Sequence, residues 1–131
     1  MAYLHDVVFD CRHPASLARF WAAVLDGYEV AQYDEEELDR LRDLGILDTE
    51  DDPTVLVESG DGAEPRLFFQ LVSEDRSVKN RLHLDLRADD VDAESGRLVG
   101  LGARVLATYD EWVTLADPEG NEFCLAHTPS N

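Results

Sequence analysis

The sequence predicts an α+β protein made of two tandem strand–helix–three-strand (βαβββ) units, and three observations carry that prediction. In Arg81-Leu82-His83-Leu84-Asp85-Leu86-Arg87 apolar and polar residues alternate strictly, the two-residue period of a strand with one face against a core. A helical apolar stripe follows an early strand at Leu17, Phe20, Trp21, Val24 and Leu25, and follows the alternating strand at Val91, Leu98, Val99 and Leu101. The halves also repeat: Gly27 lines up with Gly102 and Val30 with Val105 at an offset of 75, Asp6 with His83 at 77, and Phe69-Gln70-Leu71 with Phe123-Cys124-Leu125 at 54. The drop of some twenty residues marks an insert in the first half.

In chain order, residues 4–11 give the first strand, in which His5, Val7 and Phe9 alternate with Asp6, Val8 and Asp10. Both sets have apolar character, so the facing is open. Pro14 suits the first turn of a helix, where its missing N–H costs nothing. His13 is positioned to cap that helix, Gly27 to stop it, and 28–32 can form a second strand. The acidic run 33–52 reads as an inserted helix: Asp34 with Glu37 has capping-box spacing, Leu38, Leu41 and Leu44 make a narrow stripe, and Gly45 ends it. Its acids form a solvated face, and the helix can serve as a rim or lid. Strands at 54–58 and 66–72, joined by Ser59-Gly60-Asp61-Gly62, complete module one, residues 1–76.

Module two covers 77–131. A polar connector leads to the strand 82–88, and Asp90 or Asp92 caps a helix that Gly102 terminates. Gly96 and Gly100 weaken its intrinsic helicity, so packing on the sheet must compensate. Strands at 104–107 and 111–116, the turn Asp117-Pro118-Glu119-Gly120-Asn121 and a closing strand at 122–127 follow.

With 11 Lys plus Arg against 29 Asp plus Glu, the net charge is −18. A field of that sign repels nucleic-acid backbones and anionic membranes, and it favours solubility. No stretch approaches the roughly 18 apolar residues of a membrane span. The start Met-Ala-Tyr-Leu-His-Asp lacks a basic segment followed by an apolar one, so a cytoplasmic location is expected. Cys11 and Cys124 form no CxxC spacing and are expected to be free thiols. There is no Gly-rich phosphate loop and no nucleophile elbow.

Facing supplies the candidate site. Arg81, His83, Asp85 and Arg87 share the polar side of their strand, either lining a cavity or merely meeting water. If Val113 and Leu115 pack beneath a helix, Trp112 and Thr114 face the same way as that polar set, and Phe68 lies beside Gln70. Trp112 and Phe68 are then a stacking wall for a flat or apolar ligand, or ordinary core. Arg87 either fixes a carboxylate or phosphate bidentately, or pairs with Asp85 or Asp10. His83 oriented by Asp85 is the candidate catalytic pair for proton transfer. Cys124 has no identified base. His5 and His127 read as packing or edge residues.

Leu17-Ala18-Arg19-Phe20-Trp21 in the first helix, Lys79-Asn80-Arg81-Leu82-His83-Leu84-Asp85-Leu86, and the run from Asp117-Pro118-Glu119-Gly120-Asn121 to Cys124 resemble the vicinal oxygen chelate (glyoxalase/bleomycin resistance/extradiol dioxygenase) superfamily, in particular its glyoxalase-like bacterial members. The resemblance implies a cup of curved, mixed sheets with helices outside, and a homodimer. It places inward-facing ligand positions at Asp6, Gln70, His83 and Cys124, of which only His83 matches the family's usual ligand. Asp6 stands where His or Gln is common. Cys124 stands where Glu is expected, with the Glu122 carboxylate two positions earlier on the same face. A metal, if held, would use Asp6, His83, Glu122 and Cys124; zinc accepts Asp, His and Cys, whereas Mg, Mn and Fe(II) prefer other sets. The expectation is a glyoxalase-like small-molecule-binding protein that encloses an organic ligand at Asp6, Phe68, Gln70, His83, Asp85, Arg87, Trp112, Thr114, Glu122 and Cys124, without an inherited metal centre or other cofactor. The alternatives are a divalent-metal-dependent lyase, isomerase or dioxygenase, and a metal-free acid–base enzyme using His83.

Overall fold

A computed structural model describes every residue except Ala2, Ser130 and Asn131. The chain divides into two compact units, Met1–Asp75 and Arg76–Asn131, each with one four-stranded mixed sheet. Three α-helices occur among the described residues, and none is long and apolar enough to cross a membrane.

In the first unit β1 (Asp6–Cys11), α1 (Pro14–Val24), β2 (Tyr28–Val30), α2 (Glu35–Asp43), a 3-10 turn at Thr49–Asp51, β3 (Thr54–Ser59) and β4 (Arg66–Leu71) follow one another. The sheet order is β1-β4-β3-β2, with β1 parallel to β4 and the other pairs antiparallel. The facing that the sequence left open is decided by rings. Phe9 meets Phe69 edge-on at 5.0 Å between centroids and Trp21 at 5.5 Å. Directly opposed residues share a face, so Phe9, Leu67, Phe69, Val55 and Val57 form the side that α1 covers with Leu17, Phe20 and Trp21. Asp6, Val8, Asp10, Arg66, Phe68, Gln70 and Leu56 take the other side.

Pro14 opens α1 as expected, but the His13 side chain makes no capping hydrogen bond. What His13 contributes is its carbonyl, which accepts from Leu17 N and Ser16 Oγ. In α2 the Asp34 carboxylate accepts from Glu37 N at 2.8 Å, with acids in the first turn and Arg40 and Arg42 in the last, both favourable to the helix dipole. Its apolar stripe is narrower than the spacing suggests: Leu41 is buried, but Leu44 is 60% exposed.

The second unit contains β5 (Leu84–Ala88), α3 (Val91–Leu101), β6 (Arg104–Thr108), β7 (Trp112–Ala116) and β8 (Glu122–His127), in the order β5-β8-β7-β6 with β5 parallel to β8. Asp90, rather than Asp92, is the cap, accepting from Ala93 N at 3.0 Å. Leu98, Leu115, Phe123 and Leu125 are all buried in the core, while Val99 and Leu101 stay exposed. Gly102 ends α3 at φ 120°, where an added Cβ would lie 3.3 Å from Pro118 Cγ. The predicted strand at 82–88 begins only at Leu84, and Leu82 is 69% exposed instead of joining the buried face. The turn before β8 is organised by Asp117, 3% exposed, whose carboxylate accepts from Glu119 N, Asn121 N and Asn121 Nδ2.

The registers also correct the repeat. Parallel partners are 60 residues apart in the first unit (Asp6 with Arg66) and 39 apart in the second (Leu84 with Phe123). Offsets of 77 for the leading strand and 54 for the closing strand therefore cannot both describe structural equivalence, because they disagree with these pairings by two residues. A two-residue slip preserves facing, so the polar face predicted for each strand survives it.

Asp6 and Arg66 form a cross-strand ion pair on the uncovered face, with Nε–Oδ1 at 2.9 Å and Nη2–Oδ2 at 3.2 Å. The Arg66 hydrogen bond, aided by its charge, holds the Asp6 carboxyl below the ordinary carboxylate range. Its stabilisation is therefore present above that range and is lost as pH falls through the lowered value of the folded state. Asp6→Asn should lower Tm at neutral pH and blunt the decline of Tm with acidification; melting curves taken from neutral pH down through the carboxylate range that run parallel in both proteins would contradict this. Trp21, 1% exposed, is the largest side chain on the α1 contact, and Trp21→Ala should cost about 3–5 kcal/mol, read from the denaturant midpoint.

Candidate functional site

Once α1 and α3 cover one face of each sheet, polar chemistry is confined to the other. In the second unit the β5–β8–β7 registers place Asp85, Cys124 and Thr114 in one row, with Arg87, Ala126 and Trp112 in the next. Five expected site residues are thus on one face. His83, immediately before β5, reaches that face, with Nδ1 3.1 Å from Asp85 Oδ1. Cys124 Sγ is 3.7 Å from Thr114 Oγ1. His83, Asp85, Arg87, Trp112 and Cys124 line an open concavity of about 480 Å³, together with Leu86, Glu111 and Ala126.

Two side chains behave differently from expectation. Arg87 does not pair with Asp85; it donates from Nη1 to the His127 carbonyl at 2.9 Å. Glu122 is drawn away from the row of Cys124 by Arg76, with Nη2–Oε1 at 3.4 Å. Arg76 Nε in turn donates to Asn80 Oδ1, and Asn80 Nδ2 donates to Asn121 Oδ1 at 2.8 Å. The segment carrying Asn80 is therefore tied to the turn before β8, and Glu122 belongs to that tie.

Trp112 is 40% exposed and stacks on Tyr109, 4.5 Å between centroids and 25° between planes. The sequence reading missed Tyr109. A signal was available in Tyr109-Asp110-Glu111-Trp112: a tight loop between strands brings its flanking rings together, and Tyr109 N donates to the Trp112 carbonyl at 2.9 Å.

Asp6, Phe68 and Gln70 lie on the uncovered face of the first unit. Asp6 is engaged by Arg66, whose guanidinium also sits 5.2 Å from the Phe68 ring centroid. Gln70 is exposed at the far end of β4, opposite Asp10 and Thr54. This face opens into a concavity of about 570 Å³ lined by Tyr33, Arg40, Asp52, Leu56, Arg66 and Phe68 among others. Its polar anchor is Asp52, 2% exposed, which accepts from Tyr33 Oη at 2.6 Å and Thr54 N at 3.0 Å, with Arg40 at 3.8 Å. Burial first, then the bond to Asp52, pushes the Tyr33 phenol up. No pattern distinguishes Asp52 from the surrounding acids; only tertiary contact selects it. The predicted rim helix α2 contributes Glu37 and Arg40 to this concavity.

The ligand set implied by the resemblance does not suit a divalent cation. Asp6 is neutralised by a two-point contact with Arg66, Glu122 lies against Arg76, and Gln70 offers only a neutral amide. What remains is an imidazole and a thiol.

A model of the glyoxalase-like domain matches residues 6–126. No curated protein matches the chain. Among solved structures, a glyoxalase/bleomycin resistance protein/dioxygenase family enzyme from Burkholderia phytofirmans PsJN is similar at TM-score 0.65 and 19% identity, over 98% of this chain and 100% of that one. A glyoxalase-related enzyme from Fulvimarina pelagi gives TM-score 0.66 at 16% identity, over 98% and 90%. The fosfomycin resistance protein FosX from Mesorhizobium loti gives 0.64 at 17%, over 96% and 91%. At these identities the structural likeness speaks for the fold, and the match along nearly the whole length settles the family: the chain belongs to the glyoxalase-like domain family.

Proposed function

We propose that this protein binds a small organic molecule, flat or apolar on one side, against the uncovered face of the second unit. The observation that carries the reading is Trp112. A large ring that remains 40% exposed while stacked on Tyr109 presents a rigid apolar wall, and the same concavity offers His83, Asp85 and Arg87 as polar contacts. An apolar wall with a few convergent polar groups is the usual make-up of a ligand site. The net charge of −18 favours neutral or cationic molecules over polyanions.

The His83–Asp85 contact supports a second reading. A carboxylate 3.1 Å from Nδ1 favours a proton on that nitrogen, which leaves Nε2 to exchange a proton with a bound molecule. If turnover of a bound compound is found, Asp85→Asn should lower it far more than it lowers the binding shift; equal loss of both would remove the acid–base role.

The binding reading is tested by a thermal-shift screen of aromatic and heteroaromatic compounds in the presence of chelator. A ligand at 100 times its Kd stabilises the native state by about 2.7 kcal/mol, a rise of several degrees. Trp112→Ala should abolish the shift at the same concentration, and a hit whose shift is unchanged in Trp112→Ala would overturn the site.

A further inference from the structure

We propose that His83, Asp85 and Cys124 bind a thiophilic divalent cation of the zinc type, at a site contained within the second unit. Asp85 and Cys124 are register partners across the parallel β5–β8 pair, and His83 stands two residues before Asp85. One donor atom from each of the three lies within 4.8 Å of the others. His83 Nδ1 and Asp85 Oδ1 are already 3.1 Å apart.

Bond lengths show how near this is to a coordination shell. Zinc bonds of about 2.0–2.2 Å to nitrogen and oxygen and about 2.3 Å to sulfur put tetrahedral donors roughly 3.3–3.6 Å apart. The His83–Asp85 edge is at that spacing, and no edge needs to contract by more than about 1.5 Å. Rotation of His83 and Asp85, 51% and 71% exposed, supplies such a movement without disturbing the sheet.

The donor set also selects the ion. Thiolate and imidazole favour zinc and cobalt over magnesium and calcium, which prefer all-oxygen shells. Thr114 Oγ1, 3.7 Å from Cys124 Sγ, is placed to support the thiolate from behind the ligand, as outer partners of metal sites do. On binding, the Cys124 thiol proton leaves to solvent as the metal–sulfur bond forms. Three protein ligands leave a fourth position facing the concavity. The site deepens the binding reading above, resting on it only for what occupies that position. It differs from the set implied by the superfamily resemblance, because Asp6, Gln70 and Glu122 take no part and Asp85 enters.

Cobalt(II) added to the full, chelator-stripped chain tests the proposal, since tetrahedral thiolate ligation produces an intense near-ultraviolet charge-transfer band that carboxylates alone do not. This readout separates the site from loose binding by the chain's other acidic side chains. The band should saturate at one equivalent and collapse when one equivalent of zinc is added. Cys124→Ser should eliminate it, and Asp85→Asn and His83→Ala should each weaken cobalt binding at least tenfold, with circular dichroism confirming that the variants are folded. Absence of the band in the folded wild type, or its survival in Cys124→Ser, would overturn the site. Because the thermal-shift screen runs in chelator and turns on Trp112, a failed metal site and a failed ligand wall give different results.

Discussion

The constraint on which each unit depends is that a four-stranded sheet has two faces and its chain supplies only one helix to pack flat against it. In the first unit the contact is aromatic, with Trp21 wedged against Phe9 and flanked by Phe20. In the second it is aliphatic, centred on Leu98, Leu115 and Leu125 around Phe123. Burying such side chains contributes about 1.5–3 kcal/mol each, so the faces are not interchangeable. Because the pleat alternates, a core on one side forces the intervening side chains to the other. The row Asp85, Cys124 and Thr114 is thus a by-product of burying Phe123 and Leu115 and half-burying Leu84.

The charge distribution acts on top of this geometry. The chain carries a surplus of 18 negative charges, and of the guanidiniums near the two uncovered faces Arg66 is engaged by Asp6, Arg40 by Glu37 and Asp52, Arg76 by Glu122 and Arg87 by a carbonyl. The three paired with carboxylates hold the scaffold, and an incoming anion would have to displace an existing partner there. The polar groups most open to an incoming molecule are His83 and Asp85, beside the Tyr109–Trp112 stack. Proteins that share this fold at 12–20% identity to the chain include a fosfomycin resistance protein and an oxidase, so the fold by itself does not fix a chemistry.

Much of this was legible in the sequence. The pleat period of Leu84, Asp85, Leu86 and Arg87 predicted a two-sided strand, and the helical stripe through Leu17, Phe20, Trp21 and Val24 predicted what would cover the corresponding sheet. What misled was length and reach. Leu82 continues the alternation but lies beyond the end of the ladder, and Leu44, Val99 and Leu101 continue their stripes but find no partner surface. Local period reports which residues could share a face; it does not report where the opposing element stops.

Sequence alone determined the order of elements, the two-unit repeat, and the side of each strand on which His83, Asp85, Arg87, Trp112, Thr114 and Cys124 would lie, because facing follows from a period of two that a register slip of two residues leaves intact. Tertiary structure decided which of those groups meet. Pairing of β5 with β8 put Asp85 beside Cys124 and His83, the Arg66 contact occupied Asp6, and Arg76 claimed Glu122. It also singled out Asp52 from a run of acids as the buried anchor of Tyr33. The physical reason is that hydrogen bonds and ion pairs are short-ranged and directional, so their partners depend on distances between strands that no one-dimensional pattern encodes.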